Sequence, residues 1–187
     1  MRDFLELLAA RVPAPGGGGA AAVTGALAAG LVAMASRFSD AQLPAASDVA
    51  RQADQLRERA AGLADQDAAA YRAVLDAYRL PAGGDASERR RRIEAALHGA
   101  AAVPLEIAEI AAQVAELAAR VAASGNPNLR GDTMAAAHLA EASARSAAAL
   151  VDINVALGRL PGDLSRRAAG AVATAQAAAA LVTGRQA

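Results

Sequence analysis

Apolar and small residues recur at the three-to-four-residue spacing of helices along most of the chain, and no run alternates as a strand does. After a short amphipathic start at residues 3–11, the pattern predicts five long helices, over residues 20–38, 46–78, 87–123, 132–157 and 164–182. Pro81 with Gly83-Gly84, and the run Gly125-Asn126-Pro127-Asn128, mark stops between them. Pro104 is expected to kink or split the third helix. The chain is therefore expected to be all-α, an antiparallel helical bundle of about five main helices in a single domain, residues 1–187.

Four consecutive glycines, Gly16 to Gly19, stand before the first long helix and are expected to form a turn. Glycine lets backbone N–H groups approach a ligand, and a helix N-terminus favours an anion or the polar edge of a heterocycle. The run is neither a phosphate loop nor a dinucleotide fingerprint, because no Gly-Lys-Ser/Thr follows it and no strand precedes it. A flexible or tightly packed elbow is the alternative interpretation.

Asp67 falls on the face of the second long helix that the pattern predicts to be buried. Steps of four from Leu63 reach Asp67, Tyr71 and Leu75, in line with the apolar positions. A carboxylate on a core face is costly unless it is paired or functional. Two interpretations are open, a structural acid bonded to an arginine or a helix end, and a functional acid.

Asp132 stands where the fourth long helix is predicted to begin. Steps of three and then four back from Leu139 reach Ala136 and Asp132, which places the aspartate on the inward side. Aspartate is also a favoured N-cap, because its carboxylate accepts the free N–H groups of the first turn. The pattern alone favours the cap.

Composition excludes several chemistries. The chain has no lysine, which excludes Schiff-base and Walker-type sites, and no cysteine, which excludes disulfides, thiolate nucleophiles and cysteine-ligated zinc. His98 and His138 are the only imidazoles; each is more typical of packing than of catalysis, and no metal site is predicted. Basic and acidic residues both count 19, so the net charge of zero gives no reason to expect nucleic acid or an acidic membrane as partner.

Residues 12–36 carry no charge, a length that could span a membrane. Pro13, Pro15 and the glycines argue against a span, and alanine drives insertion weakly. Asp3 and Glu6 stand where a signal peptide needs a cationic start and an apolar core. A cytoplasmic protein that does not bind a membrane is expected.

Small side chains dominate the apolar positions, since 55% of residues are hydrophobic but only 2% are aromatic. Rows such as Ala21, Gly25 and Ala29 let helices approach closely. A core poor in large side chains often gains stability by association, so a homodimer is predicted. The basic run Arg89–Arg92 at the start of the third long helix is expected to be a solvated charge cluster.

Several short motifs occur in an order that resembles one family. They are Phe4-Leu5, Pro13-Ala14-Pro15-Gly16-Gly17-Gly18, Leu31-Val32-Ala33-Met34, Asp67-Ala68-Ala69-Ala70-Tyr71, Ala77-Tyr78-Arg79-Leu80-Pro81, Ala102-Val103-Pro104-Leu105-Glu106, Gly125-Asn126-Pro127-Asn128-Leu129-Arg130-Gly131-Asp132 and Ile153-Asn154. Each motif is weak singly, but their order is specific. Over about residues 3–158 the chain resembles the cyclodeaminase/cyclohydrolase family. That family comprises the formiminotransferase-cyclodeaminase C-terminal domain and the stand-alone methenyltetrahydrofolate cyclohydrolases.

The resemblance implies an all-helical dimer that acts on a folate without a metal or redox cofactor. The implied activity is hydrolysis of 5,10-methenyltetrahydrofolate to 10-formyltetrahydrofolate. One alternative is a formiminotetrahydrofolate cyclodeaminase, which releases ammonia. An alternative of another class is a non-catalytic helical ligand-binding or assembly protein of the same fold.

The resemblance also implies roles for individual residues. Asp67 is expected to be the general acid or base and Asp132 its electrostatic partner. The residues implied to bind substrate are Gly16, Gly17, Gly18, Gly19, Tyr71, Asn126, Asn128 and Asn154. The asparagines at 126 and 128 and the glycine backbone would meet the pterin edge, and Tyr71 would stack. Gly16 to Gly19, Asp67, Asn126 to Asn128 and Asp132 are expected to line one pocket.

The chain departs from the family pattern at a few places. Leu150-Val151 stands where the family usually carries Asn-Val, so one contact is missing if that asparagine touches the ligand. The segment 41–47 is shorter than usual and lacks the basic residues commonly found there. A lysine that holds a glutamate tail in relatives is either replaced by arginine in this chain or absent.

Overall fold

The computed structural model describes residues 1–81 and 85–184, so the Gly83-Gly84 stop signal lies outside the described residues. Six α-helices and no strand occur in the described part. They are α1 (Arg2–Ala9), α2 (Gly17–Arg37), α3 (Ala46–Tyr78), α4 (Ala86–Ser124), α5 (Arg130–Gly158) and α6 (Asp163–Thr183), with a 3-10 turn at Pro127–Leu129. The prediction of an all-α helical bundle is confirmed.

The most extensive helix contacts of the bundle involve α2, α4 and α5. α2 lies against α3 and α5, and α4 packs along both α5 and α6, while α3 covers α2 and α4. Pro104 is buried inside α4, which continues through it as one helix. Of the two expected effects of Pro104, the split is therefore wrong, and the kink stays a prediction.

Two helices begin earlier than the sequence pattern predicts. α2 starts at Gly17 with Gly16 as its N-cap, so three of the four glycines form the first helical turn rather than a preceding loop. α5 starts at Arg130, and its N-cap is Leu129. Asp132 therefore lies inside the first turn, and the interpretation of Asp132 as the N-cap is wrong.

α2 and α5 approach each other closely through the row of small residues. Ser143 on α5 is buried, and its hydroxyl donates to the Ala21 carbonyl of α2 at 2.8 Å. A Cβ atom on Gly25 would lie 3.1 Å from the Ser143 Oγ, tighter than an ordinary contact. The row thus serves helix contact within the chain, as its spacing predicts.

α2 and α4 are long and apolar enough to cross a membrane by length and composition. However, 56% of each apolar window is buried inside the bundle. Because the core helix of a soluble protein passes the same test, these two helices are weak support for a membrane span.

The basic run at the start of α4 forms hydrogen bonds and ion pairs within the chain. Arg89 donates to the carbonyls of Leu80 and Tyr78, at 3.2 and 3.1 Å, and so ties the end of α3 to α4. Arg91 and Arg92 both pair with Glu88, each at 2.8 Å. The expectation of a solvated cluster is met by these two exposed pairs but is wrong for Arg89.

Candidate active site

A cavity of about 360 Å³ lies where the first turn of α2 meets α3, α4 and the C-terminal part of α5. Its wall is formed by Pro13, Ala14, Gly16, Gly17, Gly18, Asp67, Ala70, Tyr71, Val74, Leu97, Ala100, Leu150, Ile153, Asn154 and Leu157. We call it the Asp67 cavity. Among these residues Asp67 is the one that is charged at neutral pH, and most of the others are apolar. A single carboxylate therefore stands in an otherwise uncharged, largely apolar space.

The Asp67 carboxylate is held by the first turn of α2. The Gly19 backbone N–H donates to Oδ2 at 3.1 Å, and no arginine in the described part of the chain pairs with this carboxylate. Burial raises the pKa of Asp67 above the ordinary 3.8, and the hydrogen bond from Gly19 opposes that rise only in part. The carboxylate thus bonds a helix end, as the structural interpretation expects, and keeps the raised pKa typical of a functional acid.

Gly18 allows the Asp67 carboxylate to approach the α2 backbone. A Cβ atom on Gly18 would lie 2.5 Å from Oδ2 of Asp67, and closer still to its Cγ and Oδ1 atoms. By contrast, a Cβ on Gly16 would meet nothing within 4 Å. A Cβ on Gly19 would touch Pro15 at 3.4 Å and the Phe4 ring of α1 at 3.7 Å. The glycine run therefore serves close packing as well as the cavity wall.

Asn154 presents a fixed acceptor to the cavity. Its Nδ2 donates to the carbonyls of Ala100 and Leu150, at 2.9 and 3.0 Å. The Ala100 carbonyl is free to accept because the residue four positions later, Pro104, has no N–H. With Nδ2 engaged twice, Oδ1 is the atom left for a ligand, and no described residue donates to it.

The remaining polar position of the wall is Tyr71, one helical turn beyond Asp67 and 45% exposed. Leu150 also lines the cavity, and a Cβ on Gly17 would lie 3.8 Å from it. The departure from the family pattern at Leu150 thus falls on the cavity wall and makes it more apolar.

Asp132, Asn126 and Asn128 lie away from the Asp67 cavity. Asp132 and Asn154 are on the same helix, twenty-two residues apart, which is about 33 Å along the helix axis. The expectation that both aspartates line one pocket is therefore wrong within the chain. The roles assigned to these three residues by resemblance stay predictions.

Asn126 instead organises the turn before α5. Its backbone N–H donates to the Ser39 hydroxyl at 2.9 Å, and its Nδ2 donates to the Phe38 carbonyl at 3.2 Å. Its Oδ1 accepts from the Asn128 backbone N–H at 3.0 Å. Asn126 also lines a separate cavity with Arg130 and Thr133. These bonds use the Asn126 amide for local structure.

The sequence pattern missed the α4 side of the cavity, Leu97 and Ala100, because they look like ordinary core positions. Ile153 and Leu157 on α5 also line the cavity, and they are 53% and 61% exposed. Within residues 1–81 and 85–184, no group of three or more His, Asp or Glu side chains could hold a metal ion. A reaction without a metal or cofactor stays a prediction.

Comparison with known proteins shows the family to which the chain is similar. A family model described as formiminotransferase-cyclodeaminase matches residues 1–159. A methenyltetrahydrofolate cyclohydrolase of Methylorubrum extorquens is 37% identical over 165 residues, which are 82% of this chain and 78% of that protein. The formimidoyltransferase-cyclodeaminase of Mus musculus is 31% identical over 157 residues, but the chain spans only 28% of its length.

The fold has a close counterpart among crystal structures. The formiminotetrahydrofolate cyclodeaminase of Thermotoga maritima superposes with a TM-score of 0.87 at 25% identity, over 98% of this chain and 93% of that one. The match includes α6, which lies beyond the residues covered by the family model. The chain therefore belongs to the formiminotransferase-cyclodeaminase family.

Proposed function

We propose that the protein is a folate one-carbon enzyme that hydrolyses 5,10-methenyltetrahydrofolate to 10-formyltetrahydrofolate. The observation that carries the proposal is the single carboxylate, Asp67, in an otherwise uncharged cavity. The methenyl carbon belongs to a cation delocalised over two folate nitrogens, and a carboxylate in an apolar site stabilises such a charge strongly. The 37% identity with a methenyltetrahydrofolate cyclohydrolase supports this substrate.

The chemistry needs one group that takes and returns a proton. Water attacks the methenyl carbon and forms a C–O bond while one water proton passes to Asp67. The bond from that carbon to N5 then breaks, Asp67 returns its proton to N5, and the hydroxyl proton leaves to solvent as the formyl C=O forms. The Asn154 Oδ1 atom supplies a fixed acceptor for an N–H or O–H of the bound substrate.

A cyclodeaminase activity uses the same cavity for a related step, and the Thermotoga maritima structural match supports it as a second candidate. There a folate nitrogen attacks the formimino carbon and its proton passes to the imino nitrogen, which becomes an amino group. Asp67 would then protonate that amino group, so that its C–N bond breaks, ammonia leaves and the methenyl cation forms. Supplying purified protein with each substrate in turn separates the two activities. Methenyltetrahydrofolate loss faster than spontaneous hydrolysis supports the cyclohydrolase; methenyltetrahydrofolate gain from the formimino substrate supports the cyclodeaminase. If neither change is observed, the non-catalytic alternative is favoured.

The protein acts as a cytoplasmic homodimer in this proposal. Several large apolar side chains are exposed on the single chain, among them Leu27 at 51%, Phe38 at 67% and Leu181 at 66%. A second copy would remove part of this apolar surface from water. Analytical ultracentrifugation at micromolar concentration tests the dimer, and a monomer there would contradict it.

Asp67→Asn tests the catalytic role. Asparagine keeps the size and an acceptor for the Gly19 N–H but cannot take a proton at neutral pH, so turnover should fall about a hundredfold or more. Because burial disfavours the Asp67 charge, the neutral variant should melt at the same temperature as the parent or above it.

Turnover and melting are measured on one preparation of the Asp67→Asn variant. A variant that melts normally and keeps parental turnover would remove Asp67 as the proton carrier. A variant that melts much lower would instead support a structural acid.

A further inference from the structure

A second cavity adjoins the Asp67 cavity across two shared side chains, Leu97 and Leu157. Its wall is formed by Arg90, Ile93, Glu94, Leu97, Leu157, Gly158 and Arg159. We call it the arginine cavity. The two cavities lie side by side, the first largely apolar around Asp67 and the second more polar around Arg90 and Arg159.

The guanidinium groups of Arg90 and Arg159 have no protein partner in the described part of the chain. The neighbours of Arg90 differ in this respect, since Arg89 donates to two backbone carbonyls and Arg91 pairs with Glu88. Glu94 lies on the same wall but forms no ion pair with either arginine. Two cations against one anion leave the arginine cavity net positive.

The backbone at Arg159 ends α5 and sets where its side chain begins. Arg159 caps the C-terminus of α5 with φ 50° and ψ 39°, the left-handed conformation that favours glycine. A non-glycine residue there is disfavoured, yet Gly158 precedes it and arginine occupies the left-handed position. Ala45 adopts the same conformation before α3, so the role of Arg159 is argued from the position of its side chain. Here the side chain reaches the arginine cavity.

We propose that the arginine cavity binds the glutamate tail of the folate substrate through Arg90 and Arg159. This inference rests on the proposed function, because only a substrate held in the Asp67 cavity would place its tail there. The reacting carbon would lie beside Asp67, the aminobenzoyl ring would cross between Leu97 and Leu157, and the tail carboxylates would meet the guanidinium groups.

The spacing along α4 agrees with this order. Arg90 precedes Leu97 by two helical turns, about 10 Å along the axis, which suits a benzoyl ring and its amide. The absence of lysine from the chain makes arginine the one basic side chain that can take this role. Planar guanidinium groups bind carboxylates in pairs of hydrogen bonds.

The test compares binding of tetrahydrofolate with that of tetrahydropteroate, which lacks the glutamate, by titration calorimetry. Arg90→Gln and Arg159→Gln should each weaken tetrahydrofolate binding about three- to fivefold, and the double variant about tenfold or more. Tetrahydropteroate binding should not change. Arg166→Gln is the matched control, because Arg166 is exposed on α6, has no ion pair in the described residues and lies outside both cavities.

A second change at the cap separates the charge from the fold. Arg159→Gly removes the guanidinium and relieves the left-handed strain, so it should melt above the parent and still lose tetrahydrofolate affinity. Equal losses for both ligands, or no loss in the double variant, would overturn the tail site. Turnover of methenyltetrahydrofolate is followed in parallel, so that tight, glutamate-dependent binding without turnover would count against the proposed reaction and for the tail site.

Discussion

Replacing Gly18 with alanine tests the placement of the Asp67 carboxylate directly. A Cβ at position 18 would lie 2.5 Å from Oδ2 of Asp67. An ordinary contact begins near 3.4 Å, so at least that oxygen must move by about 0.9 Å. The carboxylate would then lose the Gly19 N–H that fixes it at 3.1 Å.

The expected effects on rate and stability follow from that displacement. A shift of about 1 Å in a catalytic group costs on the order of a hundredfold in rate, so turnover of Gly18→Ala should fall by about that factor. Overpacking costs typically 1 to 3 kcal/mol, partly offset because alanine is a better helix residue than glycine by roughly 0.5 to 1 kcal/mol. The melting temperature should therefore fall modestly.

The assay follows methenyltetrahydrofolate absorbance and thermal melting on the same samples. Gly62→Ala is the matched control, because Gly62 lies on α3 with Asp67, is exposed, and would place its Cβ in open space. It should keep parental turnover and gain stability by about 0.5 to 1 kcal/mol. Parental turnover in Gly18→Ala would refute the view that glycine is needed there to seat the catalytic carboxylate.

Three further predictions concern the same cavity. The acidic limb of the pH–rate profile should lie above the ordinary aspartate pKa of 3.8, because Asp67 must be ionised to act as base and burial raises its pKa. The contribution of Asp67 to stability should fall as the pH rises through that raised pKa, so Asp67→Asn should gain stability relative to the parent over the same range. Leu150→Asn places an amide on the cavity wall where the family pattern carries asparagine, so steady-state kinetics should show a severalfold lower KM. Because the amide replaces an apolar side chain, calorimetry should show a lower melting temperature. Pro104→Ala restores a helical donor for the Ala100 carbonyl, so the protein should melt higher while kcat/KM falls severalfold, because Asn154 loses a bond that orients it; unchanged kcat/KM would contradict this.

Much of this structure could be predicted from the helical spacing of apolar residues in the sequence. The spacing of four from Leu63 identified Asp67 as an inward carboxylate, because this inference requires only the geometry of one helix. The bounds of α3 were also predictable, since residues 46–78 form one uninterrupted run that matches Ala46–Tyr78. The separation of Asp132 from the cavity was implicit too, because the length of α5 alone keeps its two ends apart.

Other features needed the packed bundle. Which glycine admits Asp67 depends on how α2 lies against α3, and no local pattern distinguishes Gly18 from Gly16. The bond from Asn154 to Ala100 joins residues 54 positions apart on α5 and α4. This bond requires a carbonyl that has no helical donor, which Pro104 provides at Ala100. That the carbonyl meets Asn154 can be seen only when the packing of α4 against α5 is known.

The Ala100 carbonyl also helps to set the register in which α5 packs along α4. Alanine is the commonest residue on the buried faces of both helices, and side chains of one small size distinguish neighbouring registers only weakly. Only one register brings Asn154 Nδ2 to the Ala100 carbonyl, and any other leaves a buried backbone oxygen without a donor. Pro104, a residue type that usually interrupts helices, thus helps to fix the register of α5 against α4, and with it the position of Asn154 in the wall of the Asp67 cavity.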